Sequence, residues 1–187
     1  MKISDTKNEM VQMVFPEHSN NIDSLHGGKL MDWIMLAGSI NSSRISKGII
    51  VLGATDSIDF LNPVKIGELV RLQSWVEYIG KTSMEIGVKV ISENDETGEK
   101  KLTTYSHLVF VAVDKDARPR RVEKKITPAN AEEREIYAEA KKRRKSRLVK
   151  IKKNAEKLQL DFDNDELKTP RLETTKVIMP EDAFYGN

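Results

Sequence analysis

His26-Gly27-Gly28-Lys29-Leu30-Met31-Asp32-Trp33-Ile34-Met35-Leu36-Ala37-Gly38 is the stretch around which the rest of the chain must be arranged. After the two glycines, Leu30, Met31, Trp33, Ile34, Met35, Leu36, Ala37 and then Ile40 make a run that is apolar on nearly every side. A helix of that kind belongs inside a protein. Its reading predicts a buried helix from about Gly28 to Ile45. Two glycines at its start allow another backbone or a ligand to come close. The free N–H groups of a first helical turn, with the helix dipole behind them, favour an anion or a developing oxyanion.

Outward from this helix the period changes. Before it, Glu9 to Phe15 reads as a strand ended by Pro16, followed by a polar loop, Glu17 to Ser24, rich in turn-forming Asn, Asp and Ser. Beyond Gly48, which ends the loop after the helix, the apolar residues recur at every second position. Ile50 to Phe60 forms one such strand, stopped by Asn62-Pro63. Leu69 to Ile79 forms the next, with Val70, Leu72, Val76 and Tyr78 opposite Arg71, Gln73 and Glu77. Met84 to Val90 and Leu102 to Val113 follow, separated by the hairpin loop Asn94 to Gly98. Short connections imply antiparallel neighbours. The fold class is therefore α+β: about five antiparallel strands in a curved sheet around one long buried helix, sharing one core.

The 187 residues, 39% hydrophobic and 32% charged, suit one substantial domain with an appendage. No run of eighteen apolar residues is present and the N-terminus lacks an apolar signal core, so no membrane partner and cytoplasmic residence are expected. The absence of cysteine excludes disulfides and thiol catalysis and argues against structural zinc. No metal or other cofactor is expected.

After Ala131 the chain turns into a helix-forming run of Ala, Glu, Lys and Arg, acidic at its front and basic at its back. Lys141 to Lys153 carries nine cations, which reads first as a solvated helix face. Contact with a phosphorylated adenosine is a second reading. Nucleic acid is a distant third, because no aromatic residue interleaves the basic ones. Residues 161–170 read as a linker. The pattern E-M-V-Q-M-V-F-P-E at Glu9 to Glu17 then returns as E-T-T-K-V-I-M-P-E at Glu173 to Glu181. This predicts three parts: a domain over 1–128, a basic helix and linker over 129–170, and the start of a second copy over 171–187.

Several pieces, in order, carry a resemblance. They are Pro16-Glu17 with Asn20, the stretch His26 to Ile34, Asp56-Ser57-Ile58-Asp59-Phe60-Leu61-Asn62-Pro63-Val64-Lys65-Ile66-Gly67, and Gly80-Lys81-Thr82-Ser83-Met84-Glu85. Together they resemble the hotdog-fold acyl-CoA thioesterases, specifically the two-domain cytosolic acyl-CoA hydrolase group. That resemblance implies hydrolysis of an acyl-CoA thioester to a free acid and CoA. It implies a catalytic Asn at Asn20, carbonyl polarisation by the amides of Gly27 and Gly28, and substrate contact by Gly80, Lys81, Thr82 and Ser83. It also implies a partner, either a second hotdog domain or further copies as a dimer or trimer of dimers.

One departure is chemical. The family's acid follows the helix motif as Trp-Ile-Asp, and here the residues are Trp33-Ile34-Met35. A thioether cannot act as a general base. In the partial second copy, Phe184 stands where Asn20 stands in the first. Two-domain members of the family divide Asn and acid between domains, so Asn20 is expected to work with an Asp from a second domain. The alternative is a non-catalytic acyl-CoA-binding or structural domain. Blander readings stand beside these. Asn20 is a natural turn residue, the glycine pair permits tight packing, and Gly80 to Ser83 is an ordinary hairpin turn. Asp32 is a candidate substitute acid but reads first as a cap or a polar edge. His26 bonds within its loop and His107 is structural.

Overall fold

The computed structural model describes residues 1–56 and 58–157 of the chain. The elements are β1 (Asn8–Met13), α1 (Gly27–Ser46), β2 (Ile50–Thr55), β3 (Leu69–Ile79), β4 (Ser83–Glu93), β5 (Lys100–Ala112) and α2 (Ala131–Lys157). The five strands form one antiparallel sheet in the order β1-β3-β4-β5-β2. One compact unit runs from Met1 to Val149, so it continues past residue 128 through most of α2. The second unit begins at Lys150, and only the end of α2 is described there. The expected linker and second copy, 161–187, lie outside the described residues.

The alternation of β3, β4 and β5 sorts side chains onto two faces. One face packs on α1: Leu72, Val76, Ile86, Val88, Leu108 and Phe110 are fully buried there with Ile34 and Ala37 of the helix. Gly38 is the point of closest approach. A Cβ at that position would stand 2.7 Å from Leu108 Cδ1 and 2.9 Å from Phe110 Cε2. A buried polar link ties helix to sheet: Asn41 donates to Ser74, and the Ser74 hydroxyl donates to the Ala37 carbonyl.

Three expectations change. First, α1 is not enclosed on all sides. Met31, Asp32 and Leu36 are exposed and Met35 is half-buried. One sheet covers one face of a helix, so the rest of an all-round apolar helix stays open unless another domain covers it. Second, β2 ends at Thr55 rather than Phe60. A register shift between Leu52 and Ala54 bends the strand, and beyond Thr55 the chain is tied to β5 by separate bonds from Asp56 N, Leu61 N and the Asn62 side chain rather than by a continuous ladder. Third, α1 runs from Gly27 to Ser46, one residue longer at each end than the pattern predicts, and Lys47 closes it in the left-handed conformation at φ 52.

The other face of the sheet carries α2, and this overturns the solvated reading of the basic helix. Glu77 of β3 and Glu85 of β4 are each 1% exposed. Arg143 donates to Glu77. Arg147 grips Glu85 with two bonds of 2.9 Å. Tyr105 donates to Glu77 at 2.9 Å, and His107 Nδ1 lies 3.1 Å from it. Asp56 lies 3.8 Å from Arg143 and 3.5 Å from Arg147. Arginines four apart share one helix face, so a basic run presents two of its charges inward while Lys141, Lys142 and Lys145 stay exposed. Gly87 makes room for this cluster, since a Cβ there would meet Glu77 Oε1 at 2.5 Å. Burial first, then the Glu77 charge, raises the Tyr105 pKa well above its ordinary value, so the phenol stays a donor. Burial disfavours the Arg147 charge, but its bonds to Glu85 outweigh that and leave its pKa raised. A register shift between Val76 and Tyr78 also turns Tyr78 toward the α2 side, against the simple alternation expected for it.

Candidate functional site

The loop 16–26 sets Asn20 and His26 on the wall of one cavity, and Gly27 follows His26 as the first residue of α1. Asn20 is held as a turn residue: its Oδ1 accepts from Ile22 N at 3.0 Å and Ser24 N at 3.2 Å. Its own N–H donates to the Ser24 carbonyl. Two backbone donors at one side-chain atom require the carbonyl oxygen there. The Asn20 NH₂ is then left as a donor with no partner among the described residues. The turn reading and the catalytic reading are thus compatible, because the turn engages only the carbonyl oxygen of the side chain.

His26 is the N-cap of α1, and its Nδ1 accepts from Gly28 N at 3.1 Å. The carbonyl of His26 takes the N–H groups of Lys29 and Leu30. Gly27 N–H has no partner among the described residues, so it is the open donor of the pair, while Gly28 is engaged by the imidazole. The Phe60 ring stands over this turn, 3.6 Å from where a Gly27 Cβ would be. An open cavity of about 550 Å³ lies beside it, lined by Ser19, Asn20, Asn21, Ile22 and His26. Exposed Phe15, Ile22, Phe60 and Leu61 make the same end of the domain strongly apolar. An apolar mouth with two amide donors suits a substrate that is a hydrocarbon chain ending in a carbonyl.

The one base given at these donors is the His26 imidazole, whose Nδ1 is taken by Gly28 N, and among the described residues no carboxylate lines the cavity. Met35 lies two helical turns on from Gly27, about 12 Å along the axis. Asp32 is exposed and paired with Lys29 at 3.1 Å, which makes it a surface ion pair. Among the described residues no group of His, Asp and Glu could hold a metal ion.

Gly80, Lys81, Thr82 and Ser83 form the β3–β4 turn, closed by Gly80 N donating to the Ser83 carbonyl. Asn20 belongs to a loop anchored at the other end of β3, through Leu25 N to Val64 O and the Ser24–Lys65 bridge. The length of β3, about 33 Å, separates the two groups. Within one domain the structure does not bring them together.

Which proteins share this arrangement is answered by comparison. Residues 23–99 match the Thioesterase superfamily. Over 120 residues the chain is 42% identical to an uncharacterized acyl-CoA thioester hydrolase of Bacillus subtilis, covering 64% of this chain and 69% of that one. It is 34% identical over 108 residues to the mouse cytosolic acyl coenzyme A thioester hydrolase, covering 54% of this chain but 28% of the relative. Among solved structures it resembles a hexameric acyl-CoA thioesterase with TM-score 0.76 and 30% identity, over 81% of this chain and 96% of the other. It also resembles the Staphylococcus aureus acyl-CoA hydrolase bound to butyryl coenzyme A, coenzyme A and coenzyme A disulfide. There the TM-score is 0.74 and the identity 30%, over 84% of this chain and 98% of the other. That hydrolase has also been solved with an Asp or an Asn changed to Ala. Those two positions are fifteen apart, as are Asn20 and Met35 here.

Proposed function

We propose, for a chain that belongs to the thioesterase superfamily, that it hydrolyses acyl-CoA thioesters as one half of a composite site. The observation that carries this is a cavity lined by Asn20 and His26 at the start of α1, where the Asn20 NH₂ and the Gly27 N–H have no partner among the described residues, beside an apolar mouth. In this reading a carboxylate from a second domain or copy removes a proton from water. The oxygen attacks the thioester carbonyl, whose oxygen becomes anionic and accepts from Gly27 N–H, with Gly28 as a further donor if His26 turns aside. Asn20 orients the water or the carbonyl. Collapse breaks the carbon–sulfur bond, and the thiolate takes up the proton, which yields CoA and a free acid. One such donor typically lowers the barrier by about 3–4 kcal/mol.

Met35 supports the division of labour, because the position that would hold the acid holds a thioether. The open face of α1 supports a covering partner, either a second hotdog domain or further copies. The β3–β4 turn, Gly80 to Ser83, contributes substrate contact to the site of that partner, since it lies a strand length from Asn20 of its own domain. Cytoplasmic residence belongs to the same reading, and no helix among the described residues is long and apolar enough to cross a membrane.

The test is release of CoA from a series of acyl-CoAs by the chain and by its Met35→Asp variant. Restoring a base is worth about 10²–10⁴-fold, so the variant should gain at least 100-fold, and adding Asn20→Ala should remove the gain. Met35 also favours a second reading, an acyl-CoA-binding domain without chemistry. Saturable acyl-CoA binding with no hydrolysis by the chain, by its Met35→Asp variant or by a longer form carrying a second domain would establish that instead.

A further inference from the structure

Beyond Thr55 the chain leaves the α2 side of the sheet and reaches the start of α1. At Asp56 it still meets α2: the carboxylate lies 3.5 Å from Arg147 and 3.8 Å from Arg143. The Asp56 N–H donates to the His107 carbonyl at 3.0 Å. Four residues on, the Phe60 ring stands against α1, 3.6 Å from where a Gly27 Cβ would be. Leu61 N, which donates to the Thr103 carbonyl at 2.9 Å, is the next tie to β5. Among the described residues Ile58, Asp59 and Phe60 make no hydrogen bond. The place of the ring is therefore set by the anchors on either side of it, Asp56 and Leu61.

The Asp56 carboxylate is surplus to the charge cluster it joins. Arg143 and Arg147 already meet Glu77 and Glu85, two cations with two buried carboxylates. Asp56 is a third carboxylate, and with its side chain 31% exposed it is the most open of the three. Water screens it, so its contact adds little to stability. Its effect is on position. Two guanidiniums fixed by Glu77 and Glu85 give this carboxylate a rigid point to meet, and charge-assisted contacts of that kind carry geometric specificity. The contact ties a segment without ladder bonds to the best-held part of the sheet.

From this we infer that Asp56 is a positioning residue: α2 holds it through Arg143 and Arg147, and it holds the Phe60 ring over the Gly27 turn as a wall of the acyl site. An aromatic wall there keeps water from the Gly27 N–H and packs on the carbon chain of the substrate. The helix on one face of the sheet thereby sets the acyl-chain preference of a site on the other. The positioning stands on the contacts alone, its effect on preference rests on the thioesterase reading, and the experiment reads the two separately.

A ring this close shifts the Gly27 Hα resonance by its ring current, so NMR of the full chain reads the position of Phe60 with no substrate present. Phe60→Leu abolishes that shift. Asp56→Asn should remove a large part of it and Asp56→Glu much less. Thermal unfolding of Asp56→Asn should match the parent, because two arginines still meet two glutamates. Hydrolysis is then measured in the Met35→Asp form of the chain and in a longer form carrying a second domain. Phe60→Leu should raise KM for hexanoyl-CoA relative to acetyl-CoA about tenfold, and Asp56→Asn about threefold. With Phe60→Leu already present, Asp56→Asn should add nothing, since it acts through the ring. A parent-like Gly27 resonance in Asp56→Asn would overturn the assignment. So would full additivity in the double variant, which marks a general loss of structure. A displaced Gly27 resonance in a protein that hydrolyses nothing upholds the positioning and refutes the hydrolase reading. Hydrolysis whose chain-length preference ignores both variants keeps the hydrolase reading and overturns the wall.

Discussion

Replacing Arg147 by Met keeps the side chain's length and apolar stem but deletes the charge that faces Glu85. Glu85 is 1% exposed, and Arg147 binds both of its oxygens at 2.9 Å. The Arg147 side chain is itself only 14% exposed, so solvent screens the pair weakly. Removing one partner of a buried pair leaves an uncompensated charge and costs about 3–5 kcal/mol. Asp56, 3.5 Å from Arg147, does not relieve this, because it adds negative charge to the same place. For a domain of this size about 2–4 °C of Tm is lost per kcal/mol, so Tm should fall by about 6–20 °C. The double variant Arg147→Met with Glu85→Met should recover most of that loss, since apolar replacement of a whole buried pair is often neutral. Urea unfolding followed by Trp33 and Trp75 fluorescence and by circular dichroism gives both free energies, provided the two probes coincide. A single variant within about 1 kcal/mol of the parent, or a double variant no better than the single, would refute the account of α2 as an element clamped to the sheet by charge.

Glu133 caps the start of α2 and accepts from Ala129, Ser4 and Ile3 backbone N–H groups, bonds that lower its pKa from 4.5 to about 2. A lowered folded pKa means stability present above pH 4.5 and lost as the pH falls toward 2. Glu133→Gln should therefore be less stable than the parent at pH 7, with the gap closing between pH 4.5 and 2 in urea titrations at several pH values. Gly87→Ala should cost about 1–3 kcal/mol of stability, read as a lower urea midpoint. Its methyl would meet Glu77 Oε1 at 2.5 Å, and Arg143, Tyr105 and His107 hold that carboxylate in place. An unchanged midpoint would show that the cluster yields easily.

The elements themselves were legible from residues 9–113 because each is a periodic pattern read locally: an apolar helix, then strands of period two with Gly and Asn turns between them. Only the tertiary structure could decide where those patterns break. The bulge at Val76–Tyr78 sends Tyr78 to the outer face, and the shift at Leu52–Ala54 ends β2 early. Backbone register depends on neighbouring strands, which a single strand's sequence does not contain.

The site divides in the same way. Gly27 and Gly28 stood out as glycines opening an apolar helix, whereas Asn20 was singled out only by the resemblance, since alone it reads as a turn residue. That His26 occupies the Gly28 amide and leaves Gly27 open is a matter of one side-chain direction, settled only in three dimensions. The fate of the basic helix was out of reach for a plainer reason. Nine cations within thirteen residues look alike, and what separates Arg143 and Arg147 from the others is that they meet Glu77 and Glu85, more than sixty residues away. By itself the sequence determined one sheet around one helix, an amide pair at the helix start and a missing acid at Met35. Packing alone decided that one face of that helix stays open and that Asn20 and the Gly80–Ser83 turn lie at opposite ends of β3. Periodicity records which side chains share a face, but not how far apart two loops come to rest.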